Sequence, residues 1–304
     1  MYLIYGILAA LIVAGPTPTA PGGGEVTIRV SRDFGNPPLV EKTVLWRESS
    51  VLDLLKEAAT VETAFGGAFV ERINGIPGKK DRSAGRAWHY YVNGMIAQVG
   101  AKAYRPAPGD VTVWDFHPWE GVSQVQALIG CYPRPFTGST RDRSAPCRIL
   151  FSDASHGKAR ELAASLMHHG ALEVRVQPLS SAELSDGVPA VIIGPWDEIR
   201  RVPAVRTAVA HADRCGLFID CDGTGMRILD LKRKPRASYP KAGALIAVAG
   251  GISRPAPLWL VTGTDTASAC LAADILISHP ERIRGMAAAV IAGDAVHPAP
   301  IIDE

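Results

Sequence analysis

The chain has 304 residues, of which 47% are hydrophobic and 20% charged. That is room for two domains and a sizeable core, and it excludes wholesale disorder. Lys+Arg is 32 against Asp+Glu 30, so no strong electrostatic argument for nucleic acid follows, and five cysteines are too few for a disulfide scaffold.

Tyr2–Gly15 reads YLIYGILAALIVAG, an apolar run without a charge. It is short of the ~20 residues of a spanning helix and suits a secretory signal or a short uncleaved anchor. No Lys or Arg precedes it and no Cys follows it. Pro16–Gly24 (PTPTAPGGG) is a stiff stretch and then a flexible one. Residues 1–15 as signal or anchor, 16–24 as spacer and a folded part from residue 25 form the layout of an exported or surface-tethered protein. The membrane is then reached only through the N-terminal segment.

From Glu25 to Pro118 the pattern predicts a first domain. Glu25–Ser31 alternates as a half-buried strand, and Leu39–Trp46 follows the turn at Gly35-Asn36-Pro37-Pro38. Ser49 or Ser50 caps a helix over Val51–Ala59. Further strands are predicted at Phe69–Ile73, Trp88–Val92, Met95–Val99 and Val111–Phe116, with a tight hairpin at Asn93-Gly94. Strand, strand, helix and then several strands is an α+β order of the β-grasp kind.

The hairpin Trp88-His89-Tyr90-Tyr91-Val92-Asn93-Gly94, with Ser50–Leu55 before it and Pro108-Gly109-Asp110-Val111-Thr112-Val113-Trp114 after it, carries a resemblance. This cluster resembles the C-terminal β-grasp domain of transcobalamin and intrinsic factor and its bacterial relatives. The resemblance implies a cobalamin or related corrinoid ligand, and a ligand-binding set of Trp88, His89, Tyr90, Tyr91, Asn93, Gly94 and Trp114. It also implies a possible membrane uptake system as partner. The helical barrel that completes the site in the vertebrate carriers has no counterpart in this sequence.

Strand alternation separates Trp88, Tyr90 and Val92 from His89 and Tyr91, and one set must be core; hydrophobicity assigns Trp88 and Tyr90 to it. His89 is either a transition-metal donor, such as an axial cobalt ligand, or a solvent-facing strand residue. His117 reads as a rim residue near Trp119. Lys79, Lys80, Arg82 and Arg86 either meet a phosphate or form a solvated loop.

Residues 119–146 read as a linker, and 147–304 as an α/β domain with a largely parallel sheet. Continuous apolar strands are predicted at Arg148–Phe151, Leu172–Val176, Val188–Ile193, Ala244–Ala249, Leu258–Thr262 and Ala287–Ile291, with shorter strands at Leu217–Asp220 and Met226–Leu231. Helices are predicted at Lys158–His168, Pro203–Cys215 and Thr266–Ile277.

Strand ends carry ligand sites in such sheets. Here they are 151–159, 193–198, 219–225 and 261–269, the last equally a helix cap. Cys131 with Cys147, and Cys215 with Cys221, are either disulfide candidates or small buried residues. No catalytic motif is present, and His168-His169 and Asp220/Asp222 read as candidate metal or acid–base groups. The reading is therefore a ligand-binding protein without a catalytic cofactor. The alternatives are an adhesive envelope protein or an enzyme with a strand-end cleft.

Overall fold

The computed structural model describes residues 24–77, 85–119, 125–137, 146–179, 184, 187–222, 225–249 and 256–302. The apolar run Tyr2–Gly15, the spacer as far as Gly23 and the basic run Lys79–Arg82 lie outside the described residues. Among the described residues no helix is long and apolar enough to cross a membrane.

The first part contains β1 (Glu25–Arg32), β2 (Pro38–Leu45), α1 (Val51–Ala58), β3 (Val61–Ala64), β4 (Phe69–Ile73), β5 (Arg86–Val92), β6 (Met95–Ile96) and β7 (Val111–Pro118). Five of these strands form one mixed sheet in the order β2-β1-β7-β5-β6, and β3 pairs with β4 beside it. The parallel pair is β1 with β7, at the centre of the sheet.

Helix α1 starts where Ser50 closes a capping box. The Ser50 hydroxyl accepts from the Asp53 amide at 3.1 Å, and the Ser50 amide donates to the Asp53 carboxylate at 3.3 Å. The Ser50 hydroxyl also donates to the Asp53 carboxylate at 2.6 Å, and that side-chain hydrogen bond holds the Asp53 carboxyl below its ordinary range. The helix buries Val51, Leu52, Leu54 and Leu55 against Val26, Ile28, Trp88, Tyr90, Trp114 and Phe116. Each aliphatic side chain buried this completely contributes about 1.5–3 kcal/mol.

The second part contains β8 (Cys147–Phe151), α2 (His156–His168), β9 (Val174–Pro178), β10 (Ala190–Pro195), α3 (Trp196–Ile199), α4 (Pro203–Ala210), β11 (Ile219–Cys221), β12 (Met226–Leu229), β13 (Pro235–Tyr239), β14 (Gly243–Val248), β15 (Leu258–Gly263), α5 (Thr266–Ser278), β16 (Ala288–Ala292) and β17 (Ala295–Ala299). Seven strands form a sheet in the order β17-β16-β14-β15-β10-β8-β9. The run β15-β10-β8-β9 is parallel, and β14, β16 and β17 extend it antiparallel.

Strand alternation sends side chains to two layers. Leu258, Leu260 and Ile192 face Ile199, Val205, Phe218 and Ile228. Trp259, Val261, Val191 and Ile193 face Leu162 and Leu166 of α2 and Ala272 and Leu276 of α5. Burial on both faces is why these strands read as unbroken apolar runs.

The described part of the stretch read as a linker, 125–137, is packed. Gln126 accepts from the Ile96 amide at 2.9 Å, and the Leu128 amide donates to Gly94 at 2.8 Å, so this segment covers the edge left by β6. Ile129 and Gly130 then donate to Ala287 and Met286. Val125, Leu128 and Cys131 join Phe34, Tyr91 and Val113 in a cluster continuous with the core of the second part. The first sheet is therefore sandwiched, with α1 on one face and the 125–131 segment and second part on the other.

None of the five cysteines is paired in a disulfide. Cys131, Cys147 and Cys215 are buried, and burial pushes each thiol up to about 11. They act as small apolar residues, and the two disulfide pairings weighed from the sequence are not made.

Candidate functional site

The hairpin that carries the family resemblance is built into the core. Trp88 and Tyr90 are 6% and 8% exposed on the α1 face, in agreement with the alternation argument. Tyr91, on the opposite face, is also fully buried, and its hydroxyl donates to Val125 at 3.0 Å. Trp114 is buried and stacks on Tyr90 with ring centroids 5.0 Å apart. The Trp88 indole donates to Ile76, and the Tyr90 hydroxyl to Val99.

Asn93 is spent locally. Its amide group donates to Asp110 at 2.8 Å, and its carbonyl accepts from the Val111 amide at 3.0 Å. Gly94 does permit a close backbone approach, but the visitor is this chain. A Cβ there would stand 2.8 Å from the Leu128 carbonyl oxygen. The expectation that Trp88, Tyr90, Tyr91, Asn93, Gly94 and Trp114 present a surface to a ligand is thus corrected. The second half of the chain fills the face that a flat ligand would need.

The same strand pair carries a buried polar cluster. On β7, residues 111, 113, 115 and 117 share the face turned toward the second part, and His89 of β5 pairs in register with Asp115. The Asp115 carboxylate accepts from the Ser31 hydroxyl at 2.6 Å, the Phe34 amide at 3.0 Å and the Gly35 amide at 3.2 Å. His117 Nδ1 lies 2.9 Å from its Oδ1. Burial works against ionisation of Asp115. The hydrogen bond to His117, with the Ser31 and Phe34 bonds, outweighs it and holds the carboxyl below its ordinary range.

His117 is fully buried rather than a rim residue, and Trp119 packs on His89 instead. His89 is mostly enclosed, not solvent-facing. Burial and then the neighbouring His117 push it down to about 3.

That depression has a pH consequence. The unfolded chain takes up a proton at His89 near its ordinary 6.5, whereas the folded chain resists until about 3. The stability contribution is whole above 6.5 and is lost as pH falls toward 3. Between pH 7.5 and 5 this one site costs about 2 kcal/mol of unfolding free energy. Urea denaturation at the two pH values measures it, and His89→Gln flattens that part of the dependence. An equally steep loss in the variant refutes the assignment.

The strand ends of the second sheet divide into closed and open ones. Helices α2 and α3–α4 leave neighbouring strands β8 and β10 toward opposite layers, which is where open α/β sheets place a ligand crevice. Here the crevice is filled. Ser152 and Ser155 are buried with hydroxyls 3.0 Å apart, and a Cβ on Gly194 would stand 2.8 Å from Ser152 Oγ. At 261–269 Asp265 caps α5, accepting from the Ser268 amide at 2.7 Å.

Asp220 and Asp222 both pair with Arg227, at 2.5 and 3.0 Å, so the two carboxylates considered as acid–base groups are engaged.

An open cleft remains just past the end of β10. It has a volume of about 550 Å³ and is lined by Trp196, Arg200, Arg201, Arg206, Val209 and Asp220, among others. Pro203 at the first turn of α4 ends the preceding loop and points the next helix, so that Arg206 meets Arg200 and Arg201 across the cleft. Arg200 pairs with Asp197 at 3.2 Å, while Arg201 and Arg206 form no ion pair among the described residues. The sequence reading marked 193–198 as a strand end but passed over these arginines; the signal was Arg200-Arg201 two residues ahead of a helix-starting proline. A smaller cleft of about 220 Å³ lies between β1–β2 and Arg284-Gly285. Among the described residues no group of three or more His, Cys, Asp or Glu is placed to hold a metal ion.

Residues 48–118 match a family described as "Domain of unknown function (DUF4430)". The match spans the capped helix, the hairpin and β7. No curated protein matches the chain. One solved structure similar to it is a protein of Ruminococcus gnavus ATCC 29149, described as a candidate metal-binding protein. It is 15% identical, with a TM-score of 0.24, over 31% of this chain and 95% of that one. At that level the likeness carries nothing about the ligand of this chain.

Proposed function

We propose that this chain is an exported ligand-binding protein that takes a corrinoid by its phosphate-bearing nucleotide tail, in the cleft beside Trp196. The observation that carries the reading is that cleft. Its volume falls within the ~300–1,000 Å³ of small-molecule sites. Unpaired guanidinium groups fit a phosphodiester bidentately, and an indole edge packs against a heterocycle. The corrinoid class rests on the resemblance of the WHYYVNG hairpin, and the match over 48–118 supports only the domain. Export rests on Tyr2–Gly15 and the Pro/Gly spacer that follows. Handing the ligand to a membrane uptake system follows from those two together.

Because both faces of the first sheet are covered, the corrin ring would lie outside the hairpin, against the rim of the second part. Titration with cyanocobalamin and with cobinamide, which lacks the nucleotide, tests this by tryptophan quenching and equilibrium dialysis. The expected result is saturable binding of cyanocobalamin below about 10 μM, a free energy near −7 kcal/mol. Cobinamide should bind at least about tenfold more weakly, and Arg206→Ala should weaken cyanocobalamin by about tenfold, roughly 1.4 kcal/mol. No binding of either ligand at about 100 μM overturns the corrinoid reading, and equal binding of both overturns docking by the tail.

A further inference from the structure

Two imidazole nitrogens of the buried polar cluster are orphaned: Nε2 of His89 and Nε2 of His117 are both sealed from solvent, and neither has a hydrogen-bond partner among the described residues. The rings stand 4.6 Å apart between centroids, with planes inclined by 35°. Buried polar atoms are nearly always partnered, so two such exceptions in one place call for an explanation.

Strand register puts them there. Asp115 faces His89 and His117 faces Ala87 across the β5–β7 pair, so the two histidines are diagonal neighbours on one face. Asp115 then assigns the tautomer. Its oxygen, 2.9 Å from His117 Nδ1, accepts from the proton-bearing nitrogen and leaves the Nε2 lone pair without a partner among the described residues. A carboxylate behind an imidazole is the usual way that a metal-binding histidine is oriented and made more basic. The charged group facing the pair is Asp115, which complements a cation.

We propose that His89 and His117 bind one late first-row transition-metal ion through their Nε2 atoms, with Asp115 as the carboxylate behind His117. Imidazole pairs suit zinc, copper, nickel or iron and do not suit magnesium or calcium. Two protein nitrogens leave the remaining positions to water or to a small exogenous donor. The site is separate from the basic cleft, and neither proposal depends on the other.

The test is equilibrium dialysis of the chelator-treated full chain against zinc at about 10 μM, with zinc X-ray absorption on the loaded protein. The expected result is one zinc per chain, with two imidazole nitrogens and no sulfur in its coordination shell. His89→Gln should weaken binding at least about a hundredfold, and Asp115→Asn by about tenfold to a hundredfold. Near-UV circular dichroism checks each variant. Should Asp115→Asn not fold, the wild-type absorption spectrum and His89→Gln decide. Less than about a tenth of an equivalent of zinc on the wild type overturns the site. So does sulfur ligation, or stoichiometric binding by folded His89→Gln.

Discussion

Asp115→Ala is expected to destabilise the chain by about 4 kcal/mol, because it removes a buried carboxylate that four groups depend on. The carboxylate is 1% exposed and serves four groups at once: the Ser31 hydroxyl, the Phe34 and Gly35 amides, and His117 Nδ1. Truncation leaves two backbone amides and an imidazole buried without an acceptor, each at a cost of about 1–3 kcal/mol, and relaxation recovers part of that. The damage is not local. The Phe34–Gly35 turn that Asp115 pins to β7 also rests against Gly285, and Phe34 belongs to the core shared with the second part.

Asp115→Asn keeps the shape and one acceptor, so it should lose about half as much. Urea unfolding at pH 7.5 measures both. A loss under about 1 kcal/mol for the alanine variant would mean that the cluster contributes little to holding the turn.

Most of the elements were legible in the sequence, because apolar periodicity and caps are local signals. Phe69–Ile73 emerges with the bounds read from alternation, and Ser50, one of two candidate caps, closes the box with Asp53. The strands β3, β13 and β17 were not legible. Their side chains are mostly half-exposed or exposed and carry no apolar stripe, and pairing with a neighbour makes them strands.

The site reading failed where local pattern cannot speak. WHYYVNG does mark a hairpin, but a sequence does not say what covers its second face. Here 125–131 and the second part do, so Tyr91 and Gly94 contact this chain's own backbone. The Asp115–His117–His89 cluster was within reach, since residues 115 and 117 share a face by period and His89 faces Asp115 by register. Taken one histidine at a time, each looked ordinary. The basic cleft needed the tertiary fold, because Arg206 joins Arg200 and Arg201 only after the chain turns at Pro203.

Gly130→Ala is the second large effect, expected at about 3–5 kcal/mol with a change in cooperativity. Gly130 lies where three backbones meet. Its amide donates to Met286 at 2.9 Å, and its carbonyl accepts from the Gly285 amide at 3.3 Å and from Arg29 at 2.8 Å. A Cβ there would stand 2.1 Å from the Gly285 nitrogen and 2.5 Å from the Met286 nitrogen. These are main-chain atoms and cannot swing aside. On its other side Gly285 also lies close to Gly35, where a Cβ would meet the Gly285 carbonyl carbon at 2.6 Å. The substitution must therefore push the 129–131 turn off the 285–287 segment. That combines overpacking, about 1–3 kcal/mol, with the net loss of two or three hydrogen bonds at about 1 kcal/mol each.

Since this contact couples the first sheet to the second part, the variant should unfold in two transitions where the wild type is expected to unfold in one. The exchange protection of the Ile129 and Gly130 amides should fall before that of β14 and β15. Gly157→Ala is the control, with open space around its Cβ and a helical backbone, and it should be neutral or gain up to about 1 kcal/mol. A Gly130→Ala chain that melts in one transition within about 1 kcal/mol of wild type would show that the junction yields to an added methyl. The two parts would then be coupled chiefly through Tyr91, Val113 and Leu128, not through the glycine contact.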